Sequence, residues 1–188
     1  MILIITNGRP RSGKDTAQHF AIEYGKEKVS KFEKISIIDY VKEKAAVFGW
    51  DGGKTESDRK FLSDLKDILT EWKNLPLEIL RERIEAAEQR GVELLFIDAR
   101  EPDDIDKIKE FGWETYTVLI ENTNVPLITS NHADAEVYNY SYDYIIENNS
   151  TLDELKKTVE NFINLINFQH LMLITQQKGR RIGDEWTE

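Results

Sequence analysis

Apolar and polar positions fall into blocks along the chain, and each block has its own period. Residues 2–6, Ile-Leu-Ile-Ile-Thr, form a continuous β-branched run, the pattern of a central parallel strand covered on both faces. From Lys14 to Tyr24 the period becomes helical, with Ala17, Phe20, Ala21 and Tyr24 on one side. Residues 34–38 read as a second strand, and 40–48 as a helix ended by Gly49. Residues 57–72 read as another helix, with Phe61, Leu62, Leu65, Ile68 and Leu69 at core spacing. Pro76 suits the first turn of a helix that runs to about Arg90 and stops at Gly91. Strands follow at 92–97, 115–120 and 142–146, with a short helix at 103–111 closed by Gly112. Thr151 caps a long helix reaching toward Gln177. This order predicts an α/β fold, a five-stranded parallel sheet between two helical layers. Residues 1–177 read as one domain and 178–188 as a flexible polar tail. The triplet Phe-Gly-Trp at 48–50 and 111–113 reads as two helix ends that finish on glycine.

Composition narrows the function. The chain has 188 residues, 25 Lys and Arg against 35 Asp and Glu, a net charge of -10 and no cysteine. Disulfides, a Cys-ligated zinc site and a thiol nucleophile are therefore excluded. Such acidity argues against nucleic-acid partners and anionic membranes, both of which need basic charge. No stretch reads as a targeting or membrane-spanning segment, so a soluble cytoplasmic setting is the expectation. An anionic ligand would need positive charge gathered locally.

That gathering is visible after the first strand. Gly8-Arg9-Pro10-Arg11-Ser12-Gly13-Lys14-Asp15-Thr16 contains G-x-x-x-x-G-K. Backbone N–H groups must approach a compact phosphate closely, and Gly8 and Gly13 supply the freedom for it. The following helix adds its positive end, and Lys14 reaches the β- and γ-phosphates. The hydroxyl that usually follows the lysine is displaced by one place, from Asp15 to Thr16. Thr16 can contact a phosphate oxygen. Asp15 either helps hold magnesium or stabilises the helix N-terminus.

The third strand ends Phe96-Ile97-Asp98-Ala99-Arg100. Asp98 is placed to hold magnesium, or else caps the helix near Asp103. Arg100 suits a bidentate phosphate clamp, with a surface ion pair as the alternative. No base-reading Asn-Lys-x-Asp motif is present, and Asp98 is not directly followed by a Glu to polarise water; Arg100 stands nearby instead. The pattern suits a phosphorylated acceptor, whose oxygens already carry negative charge and need no general base.

Together these residues resemble the phage-type deoxynucleoside monophosphate kinases, relatives of the phosphomevalonate and dephospho-coenzyme A kinases. The loop is similar to their G-x-x-R-S-G-K-D-T. Residues 38–42 with the 48–51 Phe-Gly-Trp-Asp turn resemble their A-D-P-L-K and F-G-W-D segments. Arg59 with residues 62–67 resembles R-x-x-L-Q-x-L-G, Asp98-Ala99-Arg100 resembles D-x-R, and residues 145–155 resemble the segment before their last helix. The resemblance implies a three-layer P-loop kinase fold, with ATP and Mg2+ at Gly8 to Thr16 and a nucleoside monophosphate on the acceptor side. It implies that Asp39, Lys42, Arg59 and Arg100 face the acceptor within a helical region at about 39–90. Asn148 would lie near the adenine, and a lid would span about 121–136. The metal ligands implied are Asp15, Thr16 and Asp98.

One departure stands out. A lid of this class brings Arg or Lys onto the transferring phosphate, yet no Lys or Arg occurs from Glu110 through Leu155. His132, with Asp134 and Glu136 at neighbouring spacing, is the one residue there that can become cationic. Arg9 and Arg11 could supply the charge from the loop, or Arg180 and Arg181 from the tail in a homodimer. Alternatively the chain binds nucleotide and barely turns over.

Overall fold

The computed structural model describes residues 1–125 and 136–184, with side chains left undescribed at 136 and 177–184. Its strands are β1 (Ile2–Asn7), β2 (Phe32–Ser36), β3 (Leu94–Asp98), β4 (Glu114–Glu121) and β5 (Tyr144–Glu147). Its helices are α1 (Lys14–Glu27), α2 (Asp39–Val47), α3 (Glu56–Lys73), α4 (Leu75–Gln89), α5 (Pro102–Lys109) and α6 (Leu152–Asp184). The strands form one parallel sheet in the order β2-β3-β1-β4-β5. β1 is central because its run is apolar on both faces, and all six of its residues are buried.

The period-2 alternation sorts the strand side chains into two cores. Ile2, Ile4, Leu94, Phe96, Val118 and Ile120 pack under α1 and the first half of α6. Leu3, Ile5, Leu95 and Ile97 pack under α4 and α5, against Leu80, Ile84, Ile105 and Ile108. Each fully buried Leu or Ile contributes about 1.5–3 kcal/mol. Two apolar faces with helices on both give the three-layer αβα P-loop arrangement expected from the sequence.

Glycine ends the helices where the sequence placed the stops. Gly49 and Gly112 take φ of +94° and +92°, the left-handed conformation that closes a helix. The two Phe-Gly-Trp triplets are thus helix ends.

Two expectations are corrected. The apolar stripe of α3 is not a filled core: Phe61 and Ile68 are exposed, Ile68 by 62%, Leu62, Leu65 and Leu69 are half-buried, and Lys66 is the buried residue of the helix. α3 packs on α2 and α4 rather than on the sheet, so helical spacing marks an apolar side without guaranteeing anything to cover it. The last helix does not stop near Gln177 but continues to Asp184, into the segment expected as tail. Among the described residues no helix is long and apolar enough to cross a membrane.

Candidate functional site

The carboxyl ends of β1 and β3 meet in register, with Thr6 opposite Asp98. The chain leaves β1 through Asn7 and enters the loop at Gly8. A Cβ on Gly8 would lie 2.7 Å from the Ile120 carbonyl oxygen and would also strike Ser12 Oγ, so only glycine fits there. At the far end Gly13 takes φ +92°, and a Cβ there would collide with the Asn148 side-chain amide. Gly13 is the N-cap of α1 and offers no side-chain cap, which leaves the first-turn N–H groups open to an anion. Two more donors of the loop, Ser12 Oγ and Arg9 Nε, are buried without a hydrogen-bond partner among the described residues. Unmet buried donors cost about 1–3 kcal/mol each, and a phosphate would relieve that cost.

Lys14 lies across the mouth of this loop. Its side chain is 12% exposed, with Nζ 2.7 Å from Asp98 Oδ2 and 3.6 Å from Asp15 Oδ1. Asp98 Oδ1 accepts from Thr6 Oγ1 at 2.9 Å and from Gln18 Nε2. Asp98 therefore belongs to the loop's charge network and does not cap α5, whose N-cap is Glu101. Asp15 is 81% exposed and also pairs with Lys34 at 3.7 Å. Partial desolvation pushes the Asp15 carboxyl up, but Lys14 and Lys34 outweigh it and hold it below its ordinary value. Thr16 follows in the first turn of α1, half-buried. Asp98 and Asp15 both approach Lys14 Nζ and Thr16 lies in the same helical turn, oxygen donors of the kind a magnesium ion takes together with phosphate oxygens, while no group of three or more carboxylate or imidazole side chains forms a metal cluster among the described residues.

Arg11 takes φ +68° at the turn of the loop and is exposed. Arg9 turns toward the 3-10 turn at Glu136–Tyr138, and its guanidinium lies 4.1 Å from the centre of the Tyr138 ring. Asn148, at the end of β5, donates from Nδ2 to the Ser12 carbonyl at 2.8 Å, and its N–H donates to the Glu121 carbonyl at 2.7 Å. It thereby ties the loop to the ends of β4 and β5. Beyond it Asn149, Thr151, Glu154 and Thr158 line an open hollow of about 580 Å³.

The expected acceptor residues divide. Arg100 lies two residues past Asp98, the last residue of β3, and is half-buried. Asp39, at the head of α2, accepts from the Ser36 N–H at 2.8 Å and pairs with Lys42 at 3.6 Å. Ser36 stands opposite Asp98 in the sheet, so Asp39 is on the same rim as the loop. Arg59 lies in the first turn of α3. His132 and Asp134 lie outside the described residues, as does most of the expected lid.

Sequence reasoning missed the polar groups that join these parts. Asn7 is fully buried; its Nδ2 donates to the Arg100 carbonyl at 3.0 Å and to Tyr142 Oη at 2.7 Å, while its Oδ1 accepts from the Gly8 N–H at 2.8 Å. Tyr142 Oη in turn donates to the Val137 carbonyl at 2.8 Å. Gln18 bridges Thr6 Oγ1, at 2.6 Å, and Asp98. A polar Asn closing an apolar strand was the available signal for the first. Lys66 on α3 was also missed. Its Nζ lies 2.6 Å from Glu101 and 2.7 Å from Asp104, which binds α3 to the turn after Arg100.

No protein-family model and no curated protein matches the chain. Solved structures do. A sugar kinase from Janibacter is 14% identical over 87% of this chain and 94% of its own, with a TM-score of 0.49. Shikimate kinase from Bacteroides thetaiotaomicron is 15% identical over 88% and 98%, with a TM-score of 0.46. The Mycobacterium tuberculosis APS kinase CysC in complex with AMPPNP and APS is 14% identical over 86% and 96%, also at 0.46. At these identities the likeness concerns the fold alone, and the fold assignment rests on the strand order and the loop geometry.

Proposed function

We propose that the chain is an ATP-dependent kinase that transfers the γ-phosphoryl group to a deoxynucleoside monophosphate, giving the diphosphate. The observation that carries this reading is Lys14, held 2.7 Å from Asp98 at the mouth of a glycine-cradled, uncapped helix start with Arg100 two residues further on. Two anions can be gathered on that rim, one on the loop and one toward Arg100, and the residue directly after Asp98 is Ala99 rather than a water-activating Glu. An acceptor phosphate oxygen would form the new bond to the γ-phosphorus as the bond to the β–γ bridging oxygen breaks, and ADP leaves. A phosphate with its second pKa near 6 is largely dianionic at neutral pH, so the step needs no general base. The work left to the protein is alignment and charge compensation.

In this reading Lys14 and the first-turn N–H groups of α1 bind the β- and γ-phosphates, Arg100 holds the acceptor phosphate, and Asp39, Lys42 and Arg59 face the acceptor. Asn148 and the hollow beside it receive the adenine. Thr16, Asp98 and Asp15 would hold magnesium, which supplies Lewis-acid compensation of the phosphate charge when bound.

A second reading, a nucleotide-binding module with little turnover, is favoured by the lack of any Lys or Arg from Glu110 through Leu155. A coupled assay of ADP release separates the two. It is run with ATP, magnesium and each deoxy- and ribonucleoside monophosphate, then with other phosphorylated acceptors such as phosphomevalonate and dephospho-coenzyme A. ADP release that rises with a deoxynucleoside monophosphate supports the kinase. Release driven only by a non-nucleotide acceptor moves the activity to that class. ATP binding with no acceptor-driven release supports the binding module.

A further inference from the structure

A phosphoryl group in transfer needs a cation facing it, and the stretch from Glu110 through Leu155 offers no Lys or Arg. Arg9 is the loop arginine that the fold engages. Its guanidinium lies over the Tyr138 ring, 4.1 Å from the ring centre. The attraction of a cation to a ring face acts through the ring's quadrupole and not through hydrogen bonds, so the ring positions the group without consuming its N–H donors. The buried Nε of Arg9 has no hydrogen-bond partner among the described residues, and it shares that condition with Ser12 Oγ in the same loop. A buried donor left unmet beside a phosphate-binding turn is accounted for by an anion at that turn.

Tyr138 is itself held. Val137, next to it, is fully buried, and its carbonyl accepts from Tyr142 Oη, which also meets Asn7 at the head of the loop. Burial pushes the Tyr138 hydroxyl up against the opposing pull of Arg9, and the nearby Glu121 carboxylate adds to the rise, so the ring stays neutral. The aromatic partner and the loop thus share one hydrogen-bonded frame.

Building on the kinase reading, we propose that Arg9 is the cation for the γ-phosphate and that Tyr138 is its positioning residue. The positive charge that a lid would ordinarily bring is built into the phosphate loop and aimed by an aromatic ring.

The test reads affinity and needs no acceptor. ATP and ADP are titrated calorimetrically in magnesium, and the quantity followed is the ratio of their affinities. Arg9→Ala should cut the preference for ATP by tenfold or more, about the worth of one charge-assisted hydrogen bond at 1.4 kcal/mol per decade. Tyr138→Leu should cut it by roughly three- to tenfold, within the range of a cation–π contact. Tyr138→Phe keeps the ring without the hydroxyl and should restore the preference, as should Tyr138→Trp, and these two cover the case in which the leucine variant folds poorly. In the Arg9→Ala background, Tyr138→Leu should have no further effect. Additive effects of the two changes, or an equal loss of ATP and ADP affinity in Tyr138→Leu, would show a merely structural ring and overturn the proposal while leaving the kinase reading intact. Failure of the unaltered protein to bind either nucleotide would overturn both.

Discussion

Replacing Lys66 by Met isolates the one buried ionic cluster on α3. The Lys66 and Asp104 side chains are each 9% exposed, and the ammonium lies 2.7 Å from Asp104 and 2.6 Å from the more open Glu101. Burial pulls the Lys66 pKa down, but Asp104 and Glu101 outweigh it and hold it above its ordinary value. Burial pushes the Asp104 carboxyl up in spite of Lys66. Removing the ammonium strands a buried carboxylate, at a cost of about 3–5 kcal/mol. For a chain of this size that lowers Tm by roughly 6–20 °C. The sign of the pH dependence follows. A group whose pKa rises on folding loses stabilising power as pH climbs above its unfolded value, 3.8 for Asp104. Without Lys66 the Asp104 pKa rises further, so the deficit of the variant should be largest near neutrality and shrink toward pH 4. The Lys66 contribution is fully present below 10.5, its unfolded value, so the unaltered protein carries it throughout that window. Thermal melts followed by circular dichroism at pH 7 and pH 5 measure both effects, and Lys66→Met with Asp104→Leu should recover part of the loss. A deficit under about 1 kcal/mol, or one independent of pH, would refute the buried-cluster account.

Other outcomes follow from the site. Gly13→Ala must place a Cβ against the Asn148 amide at φ +92°, so nucleotide affinity measured by calorimetry should fall by at least tenfold while the fold survives. Tyr142→Phe removes the hydroxyl that joins Asn7 Nδ2 to the Val137 carbonyl; it should cost about 1–3 kcal/mol in chemical denaturation, and it should weaken ATP binding because Asn7 also accepts from the Gly8 N–H.

How much of this was legible in the sequence depends on how local each feature is. β1, the loop and the glycine stops were readable because a β-branched run, two glycines with a lysine and a positive-φ stop each act within a few residues. The strand order was not, since β1 pairs with β3 and β4 through partners as distant in the chain as Ile2 with Leu94 and Ile2 with Glu114. The hidden polar frame shares that difficulty. Asn7, Tyr142, Gln18 and Lys66 are ordinary residues until the fold brings their partners within 3 Å. α3 misled for a different reason. Its stripe is real, but periodicity reports which side is apolar, and Ile68 and Trp72 remain 62% and 66% exposed because nothing among the described residues covers them. Asp98 could be read as magnesium ligand or helix cap from sequence, and its contacts with Thr6 and Lys14 remove the cap.

The central claim is that the rim around Lys14, Asp98 and Arg100 transfers a phosphoryl group between two anions. The most direct measurement is the initial rate of ADP release from ATP and magnesium with and without a deoxynucleoside monophosphate, in the unaltered protein and in Lys14→Ala. The account predicts release that depends on the added monophosphate, with the acceptor recovered as its diphosphate, and a drop of about a hundredfold or more in Lys14→Ala. ADP release that no monophosphate accelerates, or a rate unchanged in Lys14→Ala, would contradict it.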